Sequence, residues 1–465
     1  MIERTNAAGQ AMRRPLLVPL IAVSQFAPPF MVSGVAVALP ALGADLGAGA
    51  TSLGLVESLF LAGSVAFLLP AGRLADAGDK ASLYKLGLLA FGVTSLLAGL
   101  VSSVPLILLL RFIQGAFSAL VAVSAPALLA DLVPPERRGR AFGSMIGSIY
   151  AGLTVGPICA GFLVELWGWR AVFIAGGAVL ALVCALTQAV LPSSWRRPAL
   201  RAVHGPSALL IIAAMLLLAL GAASLRAGAP GYALVAAGVV AAALFPAWQR
   251  RLEQPLLNIE LLTHNAVLRN ALLAQCFLYT NAFCSVFLLS IYMQVVLGRS
   301  PNASGQVLAI GTVLMAAVAP IAGLLADRYR AQAIAGCGVA VVLICPLLAM
   351  ALDERSSLAH VAAVLAVQGV GFALFSSPNM KIAINSVPAG SASIASALSS
   401  TARTLGMLAG MFIAAALVSL NLGNDPVHRD PSRFLDIMRD AFLVLAALTL
   451  VALAVSLAPK RIRSR

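Results

Sequence analysis

The sequence predicts an all-α, polytopic membrane protein, and three features support this fold class. Of the 465 residues, 61% are hydrophobic and only 10% are charged, whereas soluble domains are about 45–50% apolar and about 25% charged. So few charges could not cover the surface of a soluble protein of this length. Long charge-free runs also recur along the chain, and roughly 20 apolar residues suffice for one helix to cross a bilayer. The composition therefore excludes a soluble cytosolic enzyme.

Fourteen stretches are expected to be membrane-spanning helices. Twelve windows contain no charged residue and cover 15–44, 86–110, 112–130, 141–164, 171–195, 202–225, 227–249, 270–298, 300–326, 331–352, 356–380 and 441–459. Two more qualify if one charge is allowed in each: 46–72 around Glu57, and 382–424 around Arg403. The first window follows two arginines but is much longer than the roughly 7–15-residue core of a signal peptide. It is therefore predicted to be an uncleaved first span.

The distribution of positive charge predicts the orientation, because cytoplasmic loops carry an excess of Lys and Arg. With the N-terminus inside, 22 of the 31 Lys and Arg residues fall in cytoplasmic segments and seven fall outside. The other two, Arg111 and Arg403, lie within spans. An even number of spans then places both termini in the cytoplasm, and the expected location is the inner (plasma) membrane. The net charge of +14 follows from this bias, so nucleic acid is not an expected partner.

Two sequence echoes indicate an internal repeat. The segment Ala71-Gly-Arg-Leu-Ala-Asp-Ala-Gly78 after span 2 resembles Ala322-Gly-Leu-Leu-Ala-Asp-Arg-Tyr329 after span 10. The pair Gly152-xxx-Gly156 in span 5 is echoed by Gly406-xxx-Gly410 in span 13. Both echoes are explained if six spans are repeated and two further spans are inserted between the halves.

The repeat divides the chain into three predicted regions. They are an N-terminal six-helix bundle at 1–200, two inserted spans at 201–255 (roughly 206–225 and 231–249), and a C-terminal six-helix bundle at 256–465. Repeated halves of this kind are typical of alternating-access transporters, whose substrate site lies between the halves near the midplane.

Five motifs occur in order along the chain. They are Gly72-Arg-Leu-Ala-Asp76 with Lys80, Leu110-Arg-Phe-Ile-Gln-Gly115, Asp131 with Pro134-Pro-Glu-Arg-Arg-Gly-Arg140, Gly152-xxx-Gly156-Pro157-xx-Ala160-Gly161, and Leu288-Leu-Ser-Ile-Tyr-Met-Gln294 through Leu297-Gly-Arg-Ser-Pro301. Together they resemble the major facilitator superfamily, in particular its fourteen-span drug:proton antiporter branch of the multidrug efflux type. The implied fold is two six-helix bundles plus two extra central spans.

The resemblance implies roles for three groups of residues. Arg111 would act in coupling or substrate binding. A gating loop whose charges latch the cytoplasmic side would contain Gly72, Asp76, Lys80, Asp131 and Arg140; a solvated loop that merely follows the charge bias is the alternative. The antiporter motif would be Gly152, Gly156, Pro157 and Gly161, where proline kinks the helix and glycine allows close helix contact; a simple packing kink is the alternative.

Three charged residues lie within predicted spans: Glu57, Arg111 and Arg403. An ionised side chain at a helix centre costs about 2.5–3.5 kcal/mol on insertion scales, which makes each a functional candidate. Counted from the cytoplasmic helix ends at about 1.5 Å per residue, Glu57 lies some 22 Å deep and Arg111 roughly 30 Å deep. A Glu57–Arg111 pair is therefore predicted, with Glu57 as a proton carrier because protonation competes with pairing. A permanent structural salt bridge, an outward-snorkelling Glu57, or Arg403 as the partner are the alternatives.

A departure from the branch pattern bears on the substrate. The branch usually carries Asp in span 1 at the position of Met31 in this sequence. With no acid there and two arginines in the spans, the substrates are expected to be neutral, zwitterionic or anionic rather than lipophilic cations. The candidates for the cavity lining are Met31, Gln114, Asn281, Tyr292 and Gln294.

The predicted function is proton-coupled export of small organic molecules, meaning drug or toxic-compound efflux, by alternating access. A dedicated exporter of one metabolite or siderophore is the first alternative, followed by a proton–solute symporter and by a non-transporting membrane sensor. The expected partners are the substrate, protons and the lipid bilayer, and a monomer is expected to suffice. No GxxxxGK[ST] motif for ATP occurs, the six cysteines lack CxxC spacing, and no cofactor, metal or enzymatic activity is expected.

Overall fold

The computed structural model describes residues 2–77, 79–133, 135–191, 203–252, 255–256, 259–387, 392–422 and 431–458. The regular structure of these residues is helical throughout. The helices are α1 (Ile2–Leu46), α2 (Ala50–Ala77), α3 (Lys80–Leu100), α4 (Val104–Leu132), α5 (Pro135–Trp167), α6 (Arg170–Val190), α7 (Gly205–Ala223), α8 (Ala229–Gln249), α9 (Ile259–His264), α10 (Ala266–Ile291, extended by a π-helical turn, Tyr292–Val296), α11 (Pro301–Arg328), α12 (Ala331–Ala349), α13 (Leu358–Asn385), α14 (Ala392–Asn421) and α15 (Pro431–Leu457).

Fourteen of the helices are long and apolar enough to cross a membrane, and the six-residue α9 is the exception. The prediction of an all-α, fourteen-span protein is therefore confirmed. Spans 1–8 correspond to α1–α8, and spans 9–14 correspond to α10–α15.

Charge-free windows located the spans but misplaced several of their ends. The window 86–110 was wrong at both ends, because α3 runs from Lys80 to Leu100 and a loop follows it. The Asp79 carboxylate starts α3 by accepting hydrogen bonds from the Ala81 amide and the Ser82 hydroxyl at 3.0 and 2.7 Å, as N-cap residues do. The loop contains no charge, so the window ran through it and on to Leu110. Helix α4 already begins at Val104, next to a proline that favours a first helical turn.

The two predicted halves pack by the same pairing of helices. In the first half, α1 packs against α5 and α6, α2 against α4, and α3 against α4 and α6. In the second half, α10 packs against α14 and α15, α11 against α13, and α12 against α13 and α15. The second set follows from the first when α10–α15 replace α1–α6 in order, so the internal repeat extends to the packing.

Contacts between the halves follow the same symmetry, because α5 packs against α11 and α2 packs against α14. The α5–α11 seam is close enough to require glycine. A Cβ atom added to Gly305 would lie 2.1 Å from the Pro157 carbonyl oxygen, and one added to Gly161 would lie 2.7 Å from the Asn302 Cα. Any side chain at these positions would push the halves apart.

The hairpin of α7 and α8 lies beside the other seam, where α7 contacts both α2 and α14. This is the position of the two spans that the sequence marks as inserted. The predicted regions 1–200, 201–255 and 256–465 remain a prediction, since residues 192–202 lie outside the described part of the chain.

Candidate functional site between the two halves

A cavity lies between the two halves, with about 890 Å³ of space not filled by protein atoms. Helices α1, α2 and α5 line it from the first half, and α10, α11, α13 and α14 line it from the second. Most of its wall is apolar, and aromatic and methionine side chains supply the largest groups: Phe283, Phe287, Met315, Phe372 and Met411. A mostly apolar cavity with few polar groups is typical of small-molecule sites.

Five polar side chains line the cavity: Ser33, Glu57, Tyr279, Thr312 and Gln368. The hydroxyls of Ser33 and Thr312 donate to backbone carbonyls of their own helices at 2.9 and 3.0 Å. Glu57 is the one residue with a charged side chain among the described residues that line the cavity. Its Oε1 atom and the Nε2 atom of Gln368 are buried without a hydrogen-bond partner among the described residues.

Arg111, fully buried on α4, is held by several contacts next to this wall. Its Nε donates to the Val56 carbonyl at 2.9 Å, and its Nη1 donates to Gln114 Oε1 at 2.7 Å. Its guanidinium carbon lies 4.4 Å from the ring centroid of Phe60 and 5.8 Å from that of Phe173. These contacts fix the position of the cation without any contribution from Glu57.

The predicted contact between Glu57 and Arg111 is present. Arg111 Nη2 lies 3.2 Å from Glu57 Oε2, and the two side chains are 0% and 4% exposed. The two atoms are at ion-pair distance but not aligned as a hydrogen bond. Loss of the Glu57 charge would leave Arg111 its two hydrogen bonds and two aromatic faces, which reduces the cost of an unpaired buried cation.

Arg403 is not the partner of Glu57. It lies half-buried on α14, where its Nη2 is 3.5 Å from the Ser400 hydroxyl. Its side chain also interacts with the Tyr279 hydroxyl on α10. The sequence favoured Arg111 but left Arg403 as an alternative, because depth along a helix does not say which face a side chain occupies.

The cavity wall in the described part of the chain includes none of the five residues predicted to line it, which are Met31, Gln114, Asn281, Tyr292 and Gln294. Met31 is fully buried inside the first half. Its sulfur lies 3.9 Å from the Ser95 hydroxyl and fills the space that a side chain at Gly176 would need. The branch position for a span-1 acid is thus a packing position in this chain.

Gln114 and Asn281 are also buried within their own halves. Gln114 accepts the hydrogen bond from Arg111, so it supports the cation behind the wall. The Asn281 amide donates to the Thr449 hydroxyl at 2.9 Å, which joins α10 to α15. Both side chains make hydrogen bonds within their own halves, so the polarity of these residues did not indicate a place in the cavity wall.

Tyr292 and Gln294 lie close to the end of the bundle that contains Asp45, here called the Asp45 end. The Tyr292 hydroxyl donates to the Asp353 carbonyl at 2.5 Å. Gln294 Nε2 donates to the Val37 carbonyl at 3.1 Å, a bond from the second half to the first. This bond and the close glycine contacts of the α5–α11 seam join the halves at the Asp45 end.

The opposite end of the bundle, called the Asp131 end, is closed by side chains. The hydroxyls of Tyr150 on α5 and Ser376 on α13 are 3.2 Å apart and connect the halves. The Tyr150 hydroxyl also interacts with that of Tyr279, which Arg403 contacts from α14. This cluster of Tyr150, Tyr279, Ser376 and Arg403 separates the cavity from the Asp131 end.

The predicted gating loop is described in part. Lys80 Nζ lies 2.6 Å from Asp131 Oδ2, which joins the start of α3 to the end of α4 within the first half. Gly72 lies in open space near the end of α2. The side chains of Asp76 and Arg140 lie outside the described residues. The gating role of these residues remains a prediction.

The predicted antiporter motif lies along two helix contacts. A Cβ added to Gly152 would lie 2.4 Å from the Phe26 carbonyl oxygen, so α5 meets α1 at backbone distance here. Gly156 faces the same helix, Pro157 lines the cavity, and Gly161 faces α11. The motif therefore joins the packing of one half to the seam between the halves. Gly406 and Gly410 make the equivalent contact between α14 and α10.

Gln368, Tyr150 and Ser376 are the site residues that sequence reasoning missed. Gln368 carried a usable signal, because it is a lone amide near the middle of a charge-free span. Tyr150 and Ser376 carried none, since their pairing depends on how the halves meet. In the described part of the chain, no three His, Cys, Asp or Glu side chains are grouped to hold a metal ion.

Three comparisons with known proteins bear on this geometry. The family model of the Major Facilitator Superfamily matches residues 21–208 and 271–464. The multidrug resistance protein Stp of Mycobacterium tuberculosis is 28% identical over 390 residues, which cover 82% of this chain and 72% of Stp. The tetracenomycin C resistance and export protein of Streptomyces glaucescens is 28% identical over 398 residues, which cover 84% of this chain and 73% of that protein.

Among solved structures, the chain is similar to a bacterial homologue of the human lysosomal transporter Spinster in an inward-facing and unoccupied conformation. The TM-score is 0.70 over 96% of each chain at 15% sequence identity. At this identity the likeness shows the fold alone.

Proposed function

The chain belongs to the Major Facilitator Superfamily, and we propose that it is a proton-coupled transporter that exports small organic molecules by alternating access. The resemblance to multidrug-efflux members is confirmed by the relatives, which are transporters rather than enzymes. One of these relatives is named as an export protein and the other as a multidrug resistance protein, which supports efflux as the direction of transport. Proton coupling and the substrates of this chain belong to the proposal.

Proton coupling is supported by the different surroundings of the two Glu57 carboxylate oxygens. Oε2 is at ion-pair distance from Arg111, while Oε1 is buried in the cavity wall without a partner among the described residues. A proton and a hydrogen-bond donor on the substrate would compete for this carboxylate. Mutual exclusion at one carboxylate, combined with alternating access, exchanges a substrate for a proton.

Arg111 lies at ion-pair distance from Glu57 and balances the charge of its carboxylate. Its separate bonds to Val56 and Gln114 keep it in place when Glu57 accepts a proton. The carboxylate can therefore change protonation state without collapse of its surroundings. We assign Arg111 to positioning and charge balance, and Glu57 to the proton.

Alternating access is supported by the unequal closure of the two ends. Near the Asp45 end, glycines let α5 and α11 approach at backbone distance, whereas side-chain hydroxyls join the halves toward the Asp131 end. Side-chain hydrogen bonds break at a lower cost than packed helix seams, so opening toward the Asp131 end requires the smaller change. By the positive-inside bias that end is cytoplasmic, and both termini lie in the cytoplasm at the inner membrane.

A dedicated exporter of a single metabolite remains the second candidate. It is favoured by the two unpartnered polar atoms of the cavity, because fixed hydrogen-bonding groups select more narrowly than an apolar wall. A panel of unrelated compounds separates the two candidates, since a multidrug exporter moves several of them.

Proton movement in liposomes tests the proposal. The purified protein is reconstituted with an imposed pH gradient and offered ethidium, neutral 2-aminoanthraquinone or anionic anthraquinone-2-sulfonate in turn. We expect neutral 2-aminoanthraquinone, whose amine can donate a hydrogen bond to Glu57, to trigger proton flux. Glu57→Gln should abolish the flux, because the amide keeps the shape but cannot take up the proton.

Asp436→Asn is the matched control, because this carboxylate is 73% exposed on α15. It should behave like the wild type. Flux that survives in Glu57→Gln would remove Glu57 as the coupling residue, and greater transport of ethidium than of the other compounds would contradict the expected substrate charge.

A further inference from the structure

Two polar atoms in the cavity wall are unusual because the chain leaves them unsatisfied. Glu57 is 3% exposed and Gln368 is 6% exposed, yet Oε1 of the first and Nε2 of the second have no hydrogen-bond partner among the described residues. Burying a polar group without a hydrogen-bond partner is destabilising. Such exceptions in native structures call for a specific explanation.

The two residues approach the cavity from opposite halves at similar depth. Glu57 lies seven residues after the start of α2, and Gln368 lies ten residues after the start of α13. Both helices begin at the Asp45 end, so the two side chains are about 10 and about 15 Å along their helices. A ligand in the cavity can therefore contact both.

The other polar groups of the wall have partners. Ser33 and Thr312 are bonded to backbone carbonyls, and Tyr279 interacts with Tyr150 and Arg403. The aromatic rings of the wall can pack against a flat apolar ligand body. The wall thus offers one anionic acceptor and one amide donor within an apolar surface.

We propose that the substrate is a neutral, flat, largely apolar molecule with one hydrogen-bond donor and one acceptor. Its donor binds Glu57 Oε1, and its acceptor binds the side-chain amide of Gln368. Gln368 is thereby the specificity-determining residue of the second half. This inference rests on the proposed function, because only a transporter would carry the bound molecule as its substrate. The binding geometry itself can be tested without measuring transport.

Four matched probes of one ring system separate the two contacts. They are 2-aminoanthraquinone, which has donor and acceptor, anthraquinone, which has only acceptors, 2-aminoanthracene, which has only a donor, and anthracene, which has neither. Their Kd values are measured by titration calorimetry on the protein in lipid nanodiscs, with empty nanodiscs as the blank. The variants are Gln368→Leu and Glu57→Gln, and exposed Gln306→Leu on α11 is the matched control.

We expect the wild type to bind 2-aminoanthraquinone most tightly. Gln368→Leu should weaken the two carbonyl-bearing probes by about 2- to 12-fold, which corresponds to one hydrogen bond, and should leave the other two unchanged. Glu57→Gln should instead weaken the two amine-bearing probes, and Gln306→Leu should change nothing. Unchanged binding of the two probes without a carbonyl also shows that Gln368→Leu is folded.

Other results would overturn the inference. They are equal effects of Gln368→Leu on all four probes, no effect on any, or no binding of 2-aminoanthraquinone by the wild type. The predicted pattern in a protein that moves no protons would keep the inference and contradict the proposed function. Proton-coupled export by a protein that lacks the predicted pattern of Kd values would support the proposed function and contradict the inference.

Discussion

Arg111 shows how this chain makes a buried charge tolerable. Its guanidinium is shared among a backbone carbonyl, an amide, a carboxylate and two aromatic faces. A buried ion pair is weak evidence for stability, but removing one partner leaves the other uncompensated. We therefore expect the effects of mutating Glu57 and Arg111 on the free energy of unfolding to be non-additive.

Arg111→Met should destabilise the protein by about 3–5 kcal/mol, because it leaves the Glu57 carboxylate buried without its cation. The double variant Glu57→Gln/Arg111→Met should regain part of this loss. Thermal unfolding in detergent, followed by size-exclusion chromatography, measures both. A double variant less stable than Arg111→Met would show that the two charges do not compensate each other.

Met31 provides a second test at the residue scale. Met31→Asp restores the acid that is usual in the branch, but it places the carboxylate in the apolar interior of the first half rather than in the cavity. We expect a large loss of folded protein and no gain in ethidium export. Met31→Leu, which conserves volume, should cost less than about 1.5 kcal/mol.

The outcome for Met31 is read from the folded yield in detergent and from ethidium efflux by cells. A stable Met31→Asp protein with increased ethidium efflux would contradict the buried position of this residue.

At the scale of the elements, glycine sets how closely helices approach. Helix α5 offers a matched comparison, because Gly152 meets the Phe26 carbonyl of α1 while Gly147 faces open space. Helix propensity favours alanine at both positions by about 1 kcal/mol. The difference between the two variants therefore isolates the helix contact.

Gly152→Ala should destabilise the protein by about 1–3 kcal/mol through overpacking, and Gly147→Ala should be neutral or slightly stabilising. Thermal unfolding of the two variants side by side is the measurement. Equal melting temperatures would mean that α1 and α5 have room to separate.

At the scale of the whole molecule, the two ends of the cavity are closed by different kinds of contact. The Tyr150–Ser376 hydroxyl pair connects the halves toward the Asp131 end. One hydrogen bond contributes about 0.5–1.5 kcal/mol. Loss of this bond should shift the equilibrium between the closed and open states of the Asp131 end by about 2- to 12-fold toward the open state.

Tyr150→Phe should therefore increase opening at the Asp131 end. Hydrogen–deuterium exchange followed by mass spectrometry should show faster exchange in peptides around Tyr150 and Ser376, with no change at the Asp45 end. Tyr232→Phe, at an exposed tyrosine on α8, is the control. Unchanged exchange in Tyr150→Phe would exclude this hydroxyl as a latch.

The sequence predicted the parts of this molecule that depend on composition along one helix. Apolar length identified the fourteen spans, and helix rise brought Glu57 and Arg111 to a common depth. Helix ends at uncharged loops were missed, because charge was the only marker used. The polarity of Asn281 could not show which face of its helix it occupies. The contact of Tyr150 with Ser376 could not be predicted, because it depends on how the two halves pack together.

The central claim is that substrate and proton compete at Glu57, and proton release on binding tests it most directly. Purified protein in weakly buffered detergent solution, at a pH at which Glu57 is protonated, is mixed with 2-aminoanthraquinone, and the released protons are counted with a pH indicator. Asp353→Asn is the control, because hydrogen bonds from Ser356 and the Arg355 amide hold the pKa of that exposed carboxyl below its usual range. It should not contribute to the release.

The account predicts release of up to one proton per bound molecule, decreasing as the pH rises and Glu57 is already ionised. The same release is expected from Asp353→Asn, and none from Glu57→Gln. Binding without proton release by the wild type at every pH, or equal release by Glu57→Gln, would contradict it.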